Sequence, residues 1–98
     1  MNLEQATQKV KELATSHAGR FGASANFKFE EGTIHLNDAV QPTVVTNEEA
    51  AADCTLKLSI DNFEKMMAGD LNPMMAFMTG KLKIEGDKGV AMKLSSLF

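Results

Sequence analysis

The chain has 98 residues, with 10 basic against 13 acidic side chains and a net charge of −3. That length suits a single domain over 1–98 with one modest core. The acidic balance and scattered lysines argue against a nucleic-acid partner, which needs a clustered positive surface.

In chain order, residues 3–17 read as an amphipathic helix. Leu3, Ala6, Val10, Leu13 and Ala14 fall on one face. Asn2 is placed to cap it, and Gly19 lies where a helix stops. In ASANFKFEEG, Ala25, Phe27 and Phe29 alternate with Asn26, Lys28 and Glu30, and Glu31-Gly32 makes a turn. Ile34 and Leu36 alternate with Thr33, His35 and Asn37, which places His35 on a polar, solvated strand face. A strand over 42–46 follows, opened by Pro42. The acidic, alanine-rich NEEAAAD at 47–53 reads as a solvated connection.

CTLKLSI then puts Cys54, Leu56, Leu58 and Ile60 on one strand face. Asp61, with Glu64 at capping-box spacing, opens a helix over 62–68 carrying Phe63, Met66 and Met67 inward. Asn72-Pro73 starts a short helix over 73–79. KLKIEG is a further strand with Leu82 and Ile84 inward. Asp87 caps a last helix in which Val90, Leu94, Leu97 and Phe98 keep helical spacing, with Met92 off that stripe. The sum is about five strands and four helices. One-sided strands imply helices over a single sheet face, hence α+β rather than doubly wound α/β.

The composition holds 7 Met and 6 Phe but no Trp or Tyr. The second short helix carries Met74, Met75, Phe77 and Met78 in seven positions, too many for one narrow stripe. Flexible thioethers suit a wall that accepts ligands of differing shape, although a plain methionine-rich core has the same spacing. Arg20, beside Phe21 at the end of the first helix, reads first as an exposed cation at a helix C-terminus, with a carboxylate anchor at a cavity mouth as the functional alternative.

Catalytic patterns are weak. His17 and His35 are far apart in sequence, and there is no metal-ligand spacing, redox pair or nucleophile elbow. An enzyme acting on acyl-CoA would need a base beside a thioester. The residues therefore point to no cofactor, no metal and no catalysis. Cys54 has no partner for an internal disulfide and no neighbouring base, so it reads as a small buried hydrophobe in a reducing compartment. No apolar run spans a membrane. The start MNLEQATQKVKEL does not read as a signal peptide, nor the end SSLF as a peroxisomal tripeptide or prenylation box. The expected setting is cytoplasmic.

Residues 52–94, ADCTLKLSIDNFEKMMAGDLNPMMAFMTGKLKIEGDKGVAMKL, resemble the sterol carrier protein 2 family of non-specific lipid-transfer proteins. The resemblance rests on Ala52-Asp53, Phe63, Gly69, Asn72-Pro73, Ala76-Phe77, the run Gly80 to Ile84, Gly86-Asp87, Ala91 and Lys93-Leu94. It covers close to half the chain. The first half agrees in the order of its elements. What it implies is a five-stranded, mostly antiparallel sheet with helices over one face and an apolar tunnel between them. It also implies non-catalytic binding of fatty acid, fatty acyl-CoA, sterol or phospholipid. Phe77 and Met78 would lie against the tunnel, and the helix from Asp87 would help close it. The chain is shorter than typical members, so the tunnel is expected to be shorter or open at one end. The candidate lipid-contact set is Phe63, Met66, Met67, Met74, Phe77, Met78, Met92, Leu97, Phe98 and Arg20. The expected partner is a lipid, with transient membrane or enzyme contact, and the expected state is a monomer. Related domains also occur fused to or beside enzymes, including accessory factors of ubiquinone biosynthesis, so an interaction or dimerisation module is the second reading.

Overall fold

The computed structural model describes residues 1–96. The elements are α1 (Leu3–Ser16), β1 (Ser24–Phe29), β2 (Gly32–Asn37), β3 (Val44–Thr46), β4 (Cys54–Lys57), α2 (Ile60–Met67), α3 (Pro73–Met78), β5 (Lys83–Gly86) and α4 (Lys88–Ser95). The strands form one sheet in the order β3-β2-β1-β4-β5. β1 and β4 run parallel, and the other pairs are antiparallel. This is the α+β architecture that the one-sided strands imply.

Local chemistry sets most boundaries. Asn2 Oδ1 accepts from the Gln5 N–H at 2.8 Å while Gln5 Oε1 accepts from the Asn2 N–H at 3.0 Å, a complete capping box for α1. Asn72 Oδ1 accepts from Met74 N–H at 2.8 Å, with Pro73 first in α3. Asp87 Oδ1 accepts from Val90 N–H at 3.1 Å and starts α4. One cap differs from the sequence reading. Ser59, not Asp61, opens α2, its Oγ accepting from Asn62 N–H at 3.1 Å. The strand therefore ends at Lys57, although Leu58 and Ile60 still point into the core. Their alternation continues past the last strand residue, so periodicity alone overextends the strand.

Ala25, Phe27, Phe29, Ile34, Leu36, Cys54 and Leu56 form the buried sheet face, and Leu82, one residue before β5 and outside the strand the sequence reading gave it, is buried beside them. Against it pack Ala6 and Val10 of α1, Phe63 and Met66 of α2, Ala76 of α3, and Ala91 and Leu94 of α4. Phe63 sits edge-on to Phe27 and Phe29, with ring centroids 5.7 and 5.3 Å apart, a favoured aromatic geometry. α1 closes the β2 end so tightly that a Cβ on Gly32 would lie 2.7 Å from Leu3 Cδ2.

The opposite sheet face departs from expectation. His35 is not solvated but buried, with Nδ1 2.7 Å from Asn26 Oδ1. Asn26 Nδ2 in turn donates to the Ala50 carbonyl at 2.7 Å. Lys28 pairs with Glu49 at 2.8 Å. The 47–53 connection is thus a strap lying across the sheet, because the polar side chains of β1 supply the partners its backbone and carboxylates need.

Candidate functional site

α3 carries six residues and buries only Ala76. The Ala76 side chain packs into the core, and the Ala76 carbonyl accepts from Lys81 N–H at 2.8 Å and Leu82 N–H at 3.0 Å. That ties α3 to the entrance of β5, an edge strand. α4 then starts immediately after β5, its Asp87 N–H donating to the Asp53 carbonyl at 2.8 Å. Two helices set beside one edge strand cannot cover it completely, and a groove remains between them.

The groove has a volume of about 540 Å³ and is lined by Asn72, Pro73, Met74, Phe77, Leu82, Ile84, Lys88, Met92, Ser95 and Ser96. That volume is typical of small-molecule sites, and the lining is mostly apolar as such sites are. It opens to solvent, with Met74 43 %, Phe77 39 % and Met92 48 % exposed. Large side chains held at such exposure mark a surface adapted for contact. A second depression of about 390 Å³ lies between α1 and residues 41–45, with a more polar lining that includes Lys11, Thr15, Gln41 and Thr43.

The structure brings together three of the sequence-derived candidates, Met74, Phe77 and Met92, on this groove. Phe63 and Met66 lie instead in the core. Met67 is half-buried near Met1 and Glu64 at the α1–α2 junction. Met78 is 73 % exposed and outside the groove lining. Leu97 and Phe98 lie outside the described residues. Among the described residues the apolar space is this open groove. The region between the central strands and the helices is filled by Phe21, Phe27, Phe63 and Leu56.

Arg20 is exposed in the α1–β1 turn and does not line the groove. The turn itself is organised by Asp38, which sequence reasoning passed over. Its carboxylate accepts from Gly19 N–H at 2.9 Å, Gly22 N–H at 2.8 Å and Thr43 Oγ1 at 2.6 Å. Burial alone would raise the Asp38 pKa, but these bonds outweigh it and hold the carboxyl down at about 2. Cys54 is buried, and burial, with Asp53 and Asp87 nearby, pushes its thiol up to about 11. Such a thiol is a poor nucleophile.

Sequence reasoning also missed Lys88, Ser95 and Ser96. Lys88, Met92 and Ser95 stand at i, i+4 and i+7 on α4, so one helical face carries all three into the groove. The periodicity was available, but it competes with the apolar stripe of Val90 and Leu94 on the neighbouring face.

A model of the SCP-2 sterol transfer family matches residues 2–98. The chain belongs to this family. Human sterol carrier protein 2 is 46 % identical over 98 residues, covering 92 % of this chain and 18 % of that protein. Hydroxysteroid dehydrogenase-like protein 2 of Bos taurus is 52 % identical over 46 residues, 47 % of this chain and 11 % of that protein. The chain therefore spans less than a fifth of the length of these relatives. The solution structure of sterol carrier protein domain 2 of Helicoverpa armigera superposes with a TM-score of 0.77 at 27 % identity, covering 92 % of this chain and 82 % of that one. The SCP-2 assignment makes this a domain of a lipid-binding and lipid-transfer family, and its fold is the five-stranded α+β fold of that family.

Proposed function

We propose that this chain binds single acyl lipids in the α3–β5–α4 groove and carries them without transforming them. Residues 1–98 act as one lipid-binding unit in the cytoplasm, with fatty acid or fatty acyl-CoA as the leading ligand. The observation that carries the reading is a half-open groove walled by Met74, Phe77, Leu82, Ile84 and Met92. Its methionines and its phenylalanine stay part-exposed although the core nearby is closely filled. Membership of the SCP-2 family supports it. Thioether walls adapt to chains of different length, which suits low ligand selectivity. Among the described residues no helix is long and apolar enough to cross a membrane.

The test is a titration with a fluorescent fatty acid, then displacement by palmitate, palmitoyl-CoA and cholesterol. An external probe is needed because the chain has no Trp or Tyr. Saturable binding near one site per chain, displaced by the acyl ligands, is expected. Absence of saturable binding by folded protein refutes the reading.

A second reading rests on Met75 and Met78, which are 55 % and 73 % exposed and lie outside the groove lining. In that reading the outer face of α3 docks on another protein or a second copy. Sedimentation across a wide concentration range separates the two: a constant monomer with no co-purifying protein removes the docking reading.

A further inference from the structure

Among the described residues that line the groove, Lys88 is the only charged one. The other polar groups there have their main hydrogen-bonding capacity committed. Asn72 Oδ1 accepts from the Met74 and Met75 N–H groups at 2.8 and 3.4 Å. Ser95 Oγ donates to the Ala91 carbonyl at 3.0 Å, and Ser96 Oγ donates to the Lys93 carbonyl at 2.7 Å. What they keep for a ligand is the uncharged Asn72 amide N–H₂ and the lone pairs of two hydroxyls.

Among the described residues no ion pair uses the Lys88 ammonium. The ion pairs among the described residues use the Met1 amino group, Lys9, Lys28 and Lys57. The two carboxylates nearest in sequence are occupied elsewhere, Glu85 with Lys57 at 3.1 Å and Asp87 capping Val90 N–H. Lys88 is also the first residue of α4, where a cation is disfavoured by the helix dipole. Its place is therefore not explained by helix stability or by a local ion pair. Lys88 is exposed, and Met92 stands one turn further on the same face, so the cation sits at the end of an apolar stripe.

We infer that Lys88 anchors the head group of the bound lipid, and that the groove therefore selects amphiphiles with an anionic oxygen head, carboxylate or phosphate, over uncharged lipids of the same chain length. The inference rests on the groove being the lipid site. A lysine ammonium is a compact point charge that meets an anionic oxygen without the fixed bidentate geometry of arginine, so it accepts either head. A hydroxyl head gains much less, since it offers no charge to a single exposed cation.

The experiment is calorimetric titration of the full chain, at neutral pH and low salt, with laurate, dodecyl phosphate and dodecanol. The variants are Lys88→Met, Lys88→Arg and Arg20→Met. The wild type is expected to bind the anions roughly tenfold more tightly than dodecanol, the scale of a charge-assisted hydrogen bond discounted for solvent. Raising the salt should shrink that preference. Lys88→Met should lose the preference and its salt dependence because anion binding weakens while dodecanol still binds, with circular dichroism of the same sample certifying the fold. Lys88→Arg and Arg20→Met should both keep the preference. A Lys88-dependent preference for only one of the two anions supports the anchor and identifies its head group. Equal binding of all three ligands by the wild type overturns the inference and leaves the lipid site standing. A preference that survives Lys88→Met, or disappears in Arg20→Met, overturns it in the same way. Failure of folded protein to bind any of the three refutes the lipid site and the anchor together.

Discussion

Replacing Phe77 with Asp puts a carboxylate into the groove wall, and the structure sets the size of the effect. A phenylalanine side chain offers on the order of 200 Å². At 39 % exposure, about 80 Å² remains for a ligand to cover, contributing about 2 kcal/mol at about 25 cal/mol per Å². Losing that contact weakens acyl-lipid binding about 30-fold. The aspartate also sits against a hydrocarbon tail, and its desolvation makes 30-fold a lower bound.

The same geometry predicts the folding cost. The packed part of Phe77, about 120 Å², contributes up to about 3 kcal/mol, an upper figure because the unfolded chain is itself partly collapsed. A loss of that size lowers Tm by roughly 10–20 °C in a domain of this length. Binding must therefore be measured by fluorescent fatty-acid titration well below the midpoint, with circular dichroism of the same sample. A folded Phe77→Asp variant that binds within about threefold of wild type would refute the groove as the lipid site.

Three further substitutions probe the frame that holds the groove. Asp38 has a folded pKa of about 2, below its unfolded value of about 3.9. Its stabilisation, roughly 2 kcal/mol, is therefore present above pH 4 and lost as pH falls toward 2; urea unfolding at pH 6 and pH 3 should show about half of this loss, about 1 kcal/mol, in wild type and a smaller one in Asp38→Asn. Gly86 has φ +85°, and a Cβ there would lie 2.7 Å from the Asp53 carbonyl oxygen, so Gly86→Ala should destabilise by about 2–3 kcal/mol in thermal or urea unfolding and, by shifting the start of α4, weaken lipid binding as well. Asn26→Ala removes the partner of both His35 and the Ala50 carbonyl; a loss of about 1–3 kcal/mol is expected, with faster amide hydrogen exchange in residues 47–53, whereas unchanged exchange there would show that the strap is held by something else.

Much of the fold is legible in the chain because its signals are local. The caps Asn2, Asn72 and Asp87 each act within three residues, and the alternation of Ala25, Phe27 and Phe29 is visible in six letters. The features that escape are those whose partners are distant. Asn26 meets the Ala50 carbonyl across 24 positions, and Asp38 collects Gly19 and Gly22 from 19 and 16 positions back. A polar residue in a strand looks the same whether water or a strap covers it, so His35 reads as solvated when it is buried.

The same limit governs the methionines, and here it bears on function. Phe63, Met66, Met74 and Phe77 are alike in type, and each lies on a short helix. What separates them is where each helix meets the sheet. α2 lies over β1, a central strand, and its side chains are enclosed, as the Phe63 contacts with Phe27 and Phe29 record. α3 is fastened to the approach to β5, at the sheet edge, where no further strand can complete the cover. Core and groove membership thus follow from sheet order, which depends on the β1–β4 parallel pairing and on no property of the methionines. Deepening the groove by substitution should accordingly succeed at α3 and α4, where space is bounded on one side only. At Phe63 or Met66 the same change opens a closed cavity and costs about 2–5 kcal/mol of stability.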